Sequence, residues 1–188
     1  MASKDQGWSW LFGKLYGLLS RNPPSNRMVV ELADLQPGER VLDIGGGSGS
    51  ALVAAAEIVG AENVAGADPT GPLAEKVRKR IPGAEVVQAG AEDLPFPDAS
   101  FDVVWTIASF HHWGDPDRGL TQVLRVLRPG GRFLLTERRI GREGGHGLSE
   151  GEATEVAADL ERIGFVETTR RLEKAGRHTF FVFVAKKP

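Results

Sequence analysis

Two hydrophobic patterns alternate along the chain from residue 40 to residue 137. Short continuous apolar runs indicate buried strands, whereas apolar residues at every third or fourth position indicate helices. The strands predicted in this way span residues 40–44, 63–67, 85–88, 101–107 and 132–137. The helices predicted between them span residues 48–59, 71–81 and a segment that follows Asp115 and stops at Pro129. The buried stripe of that last helix is expected to hold Leu120, Val123, Leu124 and Leu127.

The C-terminal part of the chain departs from this alternation. Ser149 and Glu152 have the spacing of a capping box, and they predict a helix that runs to Ile163 and ends at Gly164. Strand-like stretches at 166–172 and 179–185 then follow each other directly, so they should pair as an antiparallel hairpin. The whole pattern predicts an α/β protein: a doubly wound, Rossmann-like open sheet of seven strands, mostly parallel, with an antiparallel C-terminal hairpin.

A chain of 188 residues with 41% hydrophobic residues is expected to form a single domain over residues 1–188. Residues 1–36 are predicted to be an N-terminal helical cap segment, because Trp8, Leu11, Leu15, Leu18 and Leu19 recur at helical spacing. Packing of this helix on the domain is favoured over attachment to a membrane surface or a second subunit. The apolar stretch is too short for a membrane span, so we expect no stable membrane insertion and a cytoplasmic protein.

Composition narrows the partners and metals to be considered. A formal net charge of −2 gives no general attraction to a polyanion, so nucleic acid is not expected as a partner. The chain has no cysteine, which removes disulfides and thiolate chemistry. Its four histidines, at positions 111, 112, 146 and 178, lack the close spacing of a zinc motif, so no metal site is expected.

The stretch VLDIGGGSG at 41–49 is the strongest chemical signal in the sequence. The dinucleotide fingerprint G-x-G-x-x-G fails here, because Ser50 stands where its third glycine belongs. The pattern present is D-x-G-x-G-x-G, formed by Asp43, Gly45, Gly47 and Gly49. Ligands of open α/β sheets bind at the carboxyl ends of the strands, where this loop, Asp68 and the His111–Trp113 segment should meet.

Four stretches in order resemble the motifs of the class I S-adenosylmethionine-dependent methyltransferases, and among them the type 11 group that includes quinone-biosynthesis C-methyltransferases. They are LQPGERVLDIGGGSG, GADP, AEDLPFPDASFDVV and LRVLRPGGRFLLTE. The resemblance covers residues 37–137 well and the remainder in outline. It implies S-adenosylmethionine as the cofactor and transfer of a methyl group to a small acceptor. A lipophilic acceptor is one candidate. A catalytically inactive protein that binds the cofactor or S-adenosylhomocysteine as a sensor or partner subunit is the alternative, and an NAD-dependent oxidoreductase ranks below both.

The resemblance also implies which residues hold the cofactor. Asp43 is expected to accept hydrogen bonds from the glycine loop and to suit the cofactor's ammonium group, and Asp68 to accept from the ribose hydroxyls. Ala91 and Glu92 fall where the family holds adenine, although Gly90 replaces the Asp or Asn that is frequent before them. The full predicted set is Asp43, Gly45, Gly46, Gly47, Asp68, Pro69, Ala91, Glu92, Ile107, Arg27 and Tyr16.

Methyl transfer from a sulfonium needs alignment and little water, and it needs a general base only for acceptors that must lose a proton. The candidates for that base are His111, His112 and Glu137. The alternative is that the histidines shape the pocket and Glu137 caps the following loop. The loop RRIGREGGHG is short, so the site should be open unless the N-terminal helix or a second subunit covers it. A homodimer is therefore a candidate assembly.

Overall fold

The computed structural model describes residues 23–143 and 145–188. The predicted helix near Trp8 and the candidate cofactor ligand Tyr16 lie outside the described residues, as does the Gly144 backbone. The helices are α1 (Pro24–Ala33), α2 (Ser50–Val59), α3 (Gly71–Arg80), α4 (Pro116–Val126) and α5 (Glu150–Ile163). The strands are β1 (Val41–Ile44), β2 (Val64–Ala67), β3 (Glu85–Val87), β4 (Phe101–Ile107), β5 (Leu127–Arg138), β6 (Val166–Ala175) and β7 (His178–Lys186).

The strands of the described residues form one seven-stranded sheet in the order β3-β2-β1-β4-β5-β7-β6. The first five strands pair in parallel, whereas β7 runs antiparallel to both β5 and β6. The predicted fold class and the predicted C-terminal hairpin are therefore confirmed. From β1 the chain adds β2 and β3 on one side and then returns to add β4 and β5 on the other side. The carboxyl ends of the parallel strands β1 and β4 therefore lie side by side at this switch point.

Several predicted helix boundaries agree with the structure for the predicted reasons. The Asp115 side chain accepts a hydrogen bond from the Arg118 N–H at 3.1 Å and caps α4. The capping box of Ser149 and Glu152 is present at the start of α5. Gly164 ends that helix with φ 116° and ψ 12°, a conformation that glycine adopts without the cost of a Cβ.

The prediction that Leu127 belongs to the buried stripe of a helix is wrong. Helix α4 ends at Val126, and Leu127 takes the extended backbone with ψ 143° that begins β5. Leu127 then pairs with Phe101 and remains fully buried. The helix therefore ends one residue before the last position of the predicted stripe, and Pro129 disfavours a helical backbone at Arg128, the residue before it.

Helix α1 is attached to the sheet at its C-terminal end and to helix α2 at its N-terminal end. At its C-terminal end, Arg132 donates to the Ala33 carbonyl at 2.7 Å and forms a bidentate pair with Glu39, both contacts 2.7 Å. At its N-terminal end, Asn26 donates to the Ser50 hydroxyl at 2.7 Å. This second contact places the start of α1 beside the helix that follows the glycine loop.

Within the described residues, no helix is long and apolar enough to cross a membrane.

Candidate active site

The glycine loop between β1 and α2 has a backbone that only glycine adopts freely. Gly45 and Gly49 have φ of 72° and 71°, in the left-handed region. The Gly45 N–H donates to the Ala67 carbonyl at the end of β2, and the Gly49 N–H donates to Gly46, both at 2.8 Å. The loop is therefore a fixed turn tied to the neighbouring strand.

Close approach is a second reason for glycine in this loop. A Cβ on Gly45 would overlap the Ser109 side chain, and one on Gly49 would lie 2.6 Å from a methyl group of Val77. Ser109 follows β4, so the loops after β1 and β4 are in direct contact. Sequence reasoning missed Ser109, because nothing in its local sequence marks a serine that packs against a distant glycine.

Asp43 is almost completely buried, with 1% of its surface exposed, at the base of the loop. Among the described residues, neither of its carboxylate oxygens has a hydrogen-bond partner. Burial raises the pKa of Asp43 to about 7, and the neighbouring Trp105 indole opposes that rise only in part. A Cβ on Gly46 would lie 2.8 Å from Oδ2, so glycine at this position lets the loop backbone pack directly against the carboxylate.

The expectation that Asp43 orders the loop by accepting its N–H groups is therefore wrong. The loop bond goes to Asp68 instead, since the Gly47 N–H donates to Asp68 Oδ2 at 3.2 Å. Asp68 Oδ1 accepts from the Thr70 N–H at 2.8 Å and from the Thr70 hydroxyl. Burial raises the pKa of Asp68, against the opposing effect of these hydrogen bonds. Among the described residues, Gly47 supplies the one hydrogen bond that Oδ2 accepts, so this oxygen keeps a lone pair for a ribose hydroxyl.

The contacts of Glu92 account for glycine at position 90, where the family frequently has Asp or Asn. Glu92 Oε1 accepts from the N–H groups of Gly114 and Asp115, at 2.7 and 3.2 Å. Its other oxygen, Oε2, would lie 2.8 Å from a Cβ on residue 90. Glycine at position 90 therefore makes room for the Glu92 carboxylate. Ala91 is buried beside it, with 3% exposure.

The remaining described residues of the predicted cofactor set are Ile107, Pro69 and Arg27. Ile107 is partly buried at the last position of β4. Pro69 is exposed, and its carbonyl accepts from the Gln88 side chain at 3.1 Å. Arg27 is exposed and lines a surface hollow of about 310 Å³ together with Glu31 and the β6–β7 turn. The role of Arg27 toward a cofactor carboxylate stays a prediction.

His111 and Glu137 form a buried pair where β4 and β5 end. Glu137 is fully buried at the end of β5, and its two oxygens lie 3.0 and 2.9 Å from His111 Nδ1. The His111 backbone N–H donates to the same carboxylate at 3.2 Å. Because Nδ1–H donates to a carboxylate, the other ring nitrogen, Nε2, is left as an acceptor. Nε2 is buried and has no partner among the described residues.

Three of the four histidines approach one another in space, although their spacing along the sequence does not resemble a zinc motif. His146 lies on the loop after β5, and its ring centroid is 5.6 Å from that of His111 and 5.8 Å from that of His112. Burial and the neighbouring imidazoles lower the pKa of His112 to about 4. The loop that carries His146 is closed by backbone bonds, Ile140 N–H to Leu148 at 2.9 Å and Leu148 N–H to Arg138 at 2.8 Å. No local pattern in the polar, glycine-rich sequence indicates this approach.

Comparison with known proteins agrees with this arrangement. The model of the type 11 family described as "Methyltransferase domain" matches residues 42–135. The ubiquinone/menaquinone biosynthesis C-methyltransferase UbiE of Vibrio campbellii is 37% identical over 118 residues, 59% of this chain and 46% of that protein. A fatty-acid O-methyltransferase of Mycolicibacterium smegmatis is 39% identical over 130 residues, 64% of this chain and 47% of that protein. The chain thus spans about half the length of these curated relatives.

The fold also has solved counterparts. A SAM-dependent methyltransferase from Aquifex aeolicus superimposes with a TM-score of 0.71 at 23% identity, over 86% of this chain and 89% of that one. The chain belongs to the methyltransferase domain family of type 11, within the class I S-adenosylmethionine-dependent methyltransferases. The predicted family is confirmed, and S-adenosylmethionine is the cofactor of that class.

Proposed function

We propose that this chain transfers a methyl group from S-adenosylmethionine to a small acceptor whose reacting group still carries its proton at neutral pH. The observation that carries the proposal is the His111–Glu137 pair, which leaves one buried imidazole nitrogen without a partner among the described residues. Ser109 connects the two sites, because it contacts Gly45 and lies two residues before His111.

The residues at the switch point fit S-adenosylmethionine. Among the described residues, the Asp43 carboxylate has no partner, and it lies at the base of a glycine-rich loop, which suits an ammonium group. Asp68 Oδ2 has a lone pair for a ribose hydroxyl, and we place adenine against the backbone of the Ala91–Glu92 segment, because the Ala91 side chain is buried. We assign the cofactor to Asp43, Asp68 and the backbone of Gly45–Gly47, with Ala91 and Glu92 at the adenine end.

The chemistry needs few groups from the protein. S-adenosylmethionine supplies an electrophilic methyl group on a sulfonium. His111 Nε2 accepts the acceptor's proton while the bond from acceptor to methyl carbon forms and the carbon–sulfur bond breaks. Glu137 then faces an imidazolium, whose positive charge it stabilises through Nδ1–H. Glu137 is thus a positioning residue for His111.

A base of this kind discriminates between acceptor classes. The two curated relatives act, by their names, on a quinone precursor carbon and on fatty acids. A carboxylic acid has lost its proton well below pH 7 and needs no base, whereas a phenolic hydroxyl, with a pKa of about 10, keeps it. The His111–Glu137 pair therefore favours a phenolic or enolic acceptor, reacting at oxygen or at the activated carbon, over a fatty acid.

The test is transfer of a labelled methyl group to a panel of phenols, enols and fatty acids, with the parent chain and with His111→Asn. Asparagine keeps a donor for Glu137 but places nothing at the position of Nε2. We expect turnover with phenolic or enolic acceptors to fall about 10²–10⁴-fold in the variant. The matched control is His178→Asn, which changes a histidine outside this cluster.

Two results would contradict the proposal. Cofactor binding without turnover of any acceptor in the panel, at any pH, would make the chain a sensor or partner subunit. Equal turnover by His111→Asn and the parent chain would leave methyl transfer standing but remove the base.

A further inference from the structure

Three imidazole side chains from two separate parts of the chain meet near the ends of β4 and β5. His111 and His112 lie on the 3₁₀ turn Phe110–His112, and His146 lies on the loop after β5. One ring nitrogen from each of the three lies within 4.8 Å of the others. His112 and His146 are exposed, so the cluster can be reached from solvent.

The pair of Glu137 with His111 has the form of a carboxylate behind a metal-binding histidine. Histidine ligands of metals usually donate their second ring N–H to a carboxylate, which fixes the ring and raises the basicity of the coordinating nitrogen. Glu137 takes that position on Nδ1 at 2.9 Å. Nε2 of His111 is buried and unpartnered among the described residues, so its lone pair is available to a cation.

The donor set selects the class of ion. Both oxygens of Glu137 face His111, and the described cluster holds no further carboxylate. Magnesium and calcium prefer oxygen ligands, whereas imidazole nitrogens suit zinc, copper, nickel and cobalt. Three histidines with a fourth position open to solvent are the arrangement of reactive rather than structural zinc sites.

The geometry needs only a small closure around an ion. Zinc–nitrogen bonds of about 2.0–2.1 Å in a tetrahedron place the ligand atoms about 3.4 Å apart, so separations that now lie within 4.8 Å must shrink by at most about 1.4 Å. His146 has glycines at 145 and 147 beside it, and a Cβ on Gly141 would have no neighbour within 4 Å. The ends of the loop are fixed at Ile140 and Leu148. Rotation of the exposed His112 and His146 side chains can supply the shift.

We infer that His111, His112 and His146 bind one divalent transition-metal ion of the zinc type, with Glu137 as the carboxylate that orients His111. The inferred metal site is independent of the proposed methyl transfer, because its ligands are the three histidines alone. An ion on His111 Nε2 would occupy the lone pair that we assign to the general base. Proton acceptance and metal binding at that nitrogen are therefore mutually exclusive.

The experiment is titration of the metal-free full chain, without an affinity tag, with Zn²⁺ by calorimetry and with Co²⁺ by visible absorption. The parent chain is expected to bind one ion per chain with micromolar or tighter affinity, with the absorption of Co²⁺ in a tetrahedral field. His146→Ala should bind at least 100-fold more weakly. His178→Ala is the matched control and should bind like the parent.

Glu137→Gln supplies a second, independent measurement. Loss of the orienting carboxylate is expected to weaken the metal affinity about 10–100-fold while the three ligands remain. Circular dichroism of each variant checks that the fold is retained. The inference is overturned if the parent chain binds Zn²⁺ only at millimolar concentration, or if His146→Ala binds it as tightly as the parent. Neither result bears on methyl transfer, which is measured separately with metal removed.

Discussion

The Nδ1 atom of His111 lies 2.9 Å from Oε2 of Glu137, with the carboxylate fully buried and the far side of the imidazole unpartnered within the described chain. A backbone N–H from the same histidine reaches the same carboxylate. The ring is therefore held by two contacts on one side, and its chemistry is confined to Nε2. The proposed base and the inferred metal ligand are this single atom.

Replacing Glu137 by Gln should lower the rate of methyl transfer and leave cofactor binding unchanged. The amide oxygen can still accept from Nδ1–H, but it has no negative charge to stabilise an imidazolium, so kcat is expected to fall about 10²-fold or more. Calorimetry should show an unchanged Kd for S-adenosylmethionine, because Glu137 has no role in the assigned cofactor site. Glu161→Gln, on the exposed surface of α5, is the control. A matching loss of cofactor affinity in Glu137→Gln would show a general collapse of the site.

Asp68→Asn should weaken the cofactor rather than the chemistry. The amide can still accept one bond from Gly47 or Thr70, but it loses the charge that strengthens a bond from a ribose hydroxyl. We expect the Kd for S-adenosylmethionine and S-adenosylhomocysteine to rise about 10-fold, equivalent to about 1.4 kcal/mol. Asp98→Asn, with a highly exposed side chain, should leave both values unchanged. An unchanged Kd in Asp68→Asn would remove Asp68 from the ribose site.

Gly45→Ala should disturb the contact between the two loops. A methyl group there overlaps Ser109 and meets a φ of 72°, so we expect a loss of about 1–3 kcal/mol in stability. Adding Ser109→Gly removes the overlap but not the backbone cost, and should restore part of the loss. Chemical denaturation of the two single variants and the double variant measures this. Strictly additive effects would show that Gly45 and Ser109 are not in contact.

The stability of the cofactor-free protein should fall as the pH rises through 7. Burial raises the pKa of Asp43 from 3.8 to about 7, so the folded state holds a proton that the unfolded chain has already lost. The stabilisation is present at low pH and is lost through pH 7, amounting to about 1 kcal/mol between pH 6.5 and 8.5. Denaturation at the two pH values in the parent and in Asp43→Asn measures the difference.

His112 acts in the opposite direction, mostly below pH 6.5 but by about 0.4 kcal/mol inside the window, so the Asp43 effect is the difference between the parent and Asp43→Asn. The pKa of His112 is lowered to about 4, so its contribution is present above the ordinary value of 6.5 and is lost as the pH falls. Asp43→Asn should flatten the fall between pH 6.5 and 8.5, whereas Asp98→Asn should leave it. An equal slope in the parent and Asp43→Asn would assign the titration to another group.

Zinc should inhibit methyl transfer if the base and the metal ligand are the same nitrogen. Turnover of the parent chain is expected to fall with Zn²⁺ over the concentration range of the metal titration and to recover with a chelator. His146→Ala should keep its activity at the same concentrations, because it retains His111 and lacks a ligand. Equal inhibition of the two proteins would place the inhibitory ion elsewhere.

Periodicity, glycines and caps were sufficient to predict most of the fold. Local patterns report burial and turn geometry directly, so the seven strands, the capping box of Ser149 and the stop at Gly164 were predicted from them. The end of α4 was not predicted correctly, because an apolar residue such as Leu127 can be equally buried on a helix face and on a strand. Pairing with Phe101 across the sheet decides that boundary.

The sequence alone placed the glycine loop, Asp68, His111 and Glu137 at one edge of the sheet, since strand order and motif spacing determine which loops share that edge. Contacts between distant segments were decided by the tertiary structure. These are the bond of Gly47 to Asp68 rather than Asp43, the room at Gly90 for Glu92, and the approach of His146 to the other histidines. Each depends on where two loops lie in space, which short-range patterns do not encode.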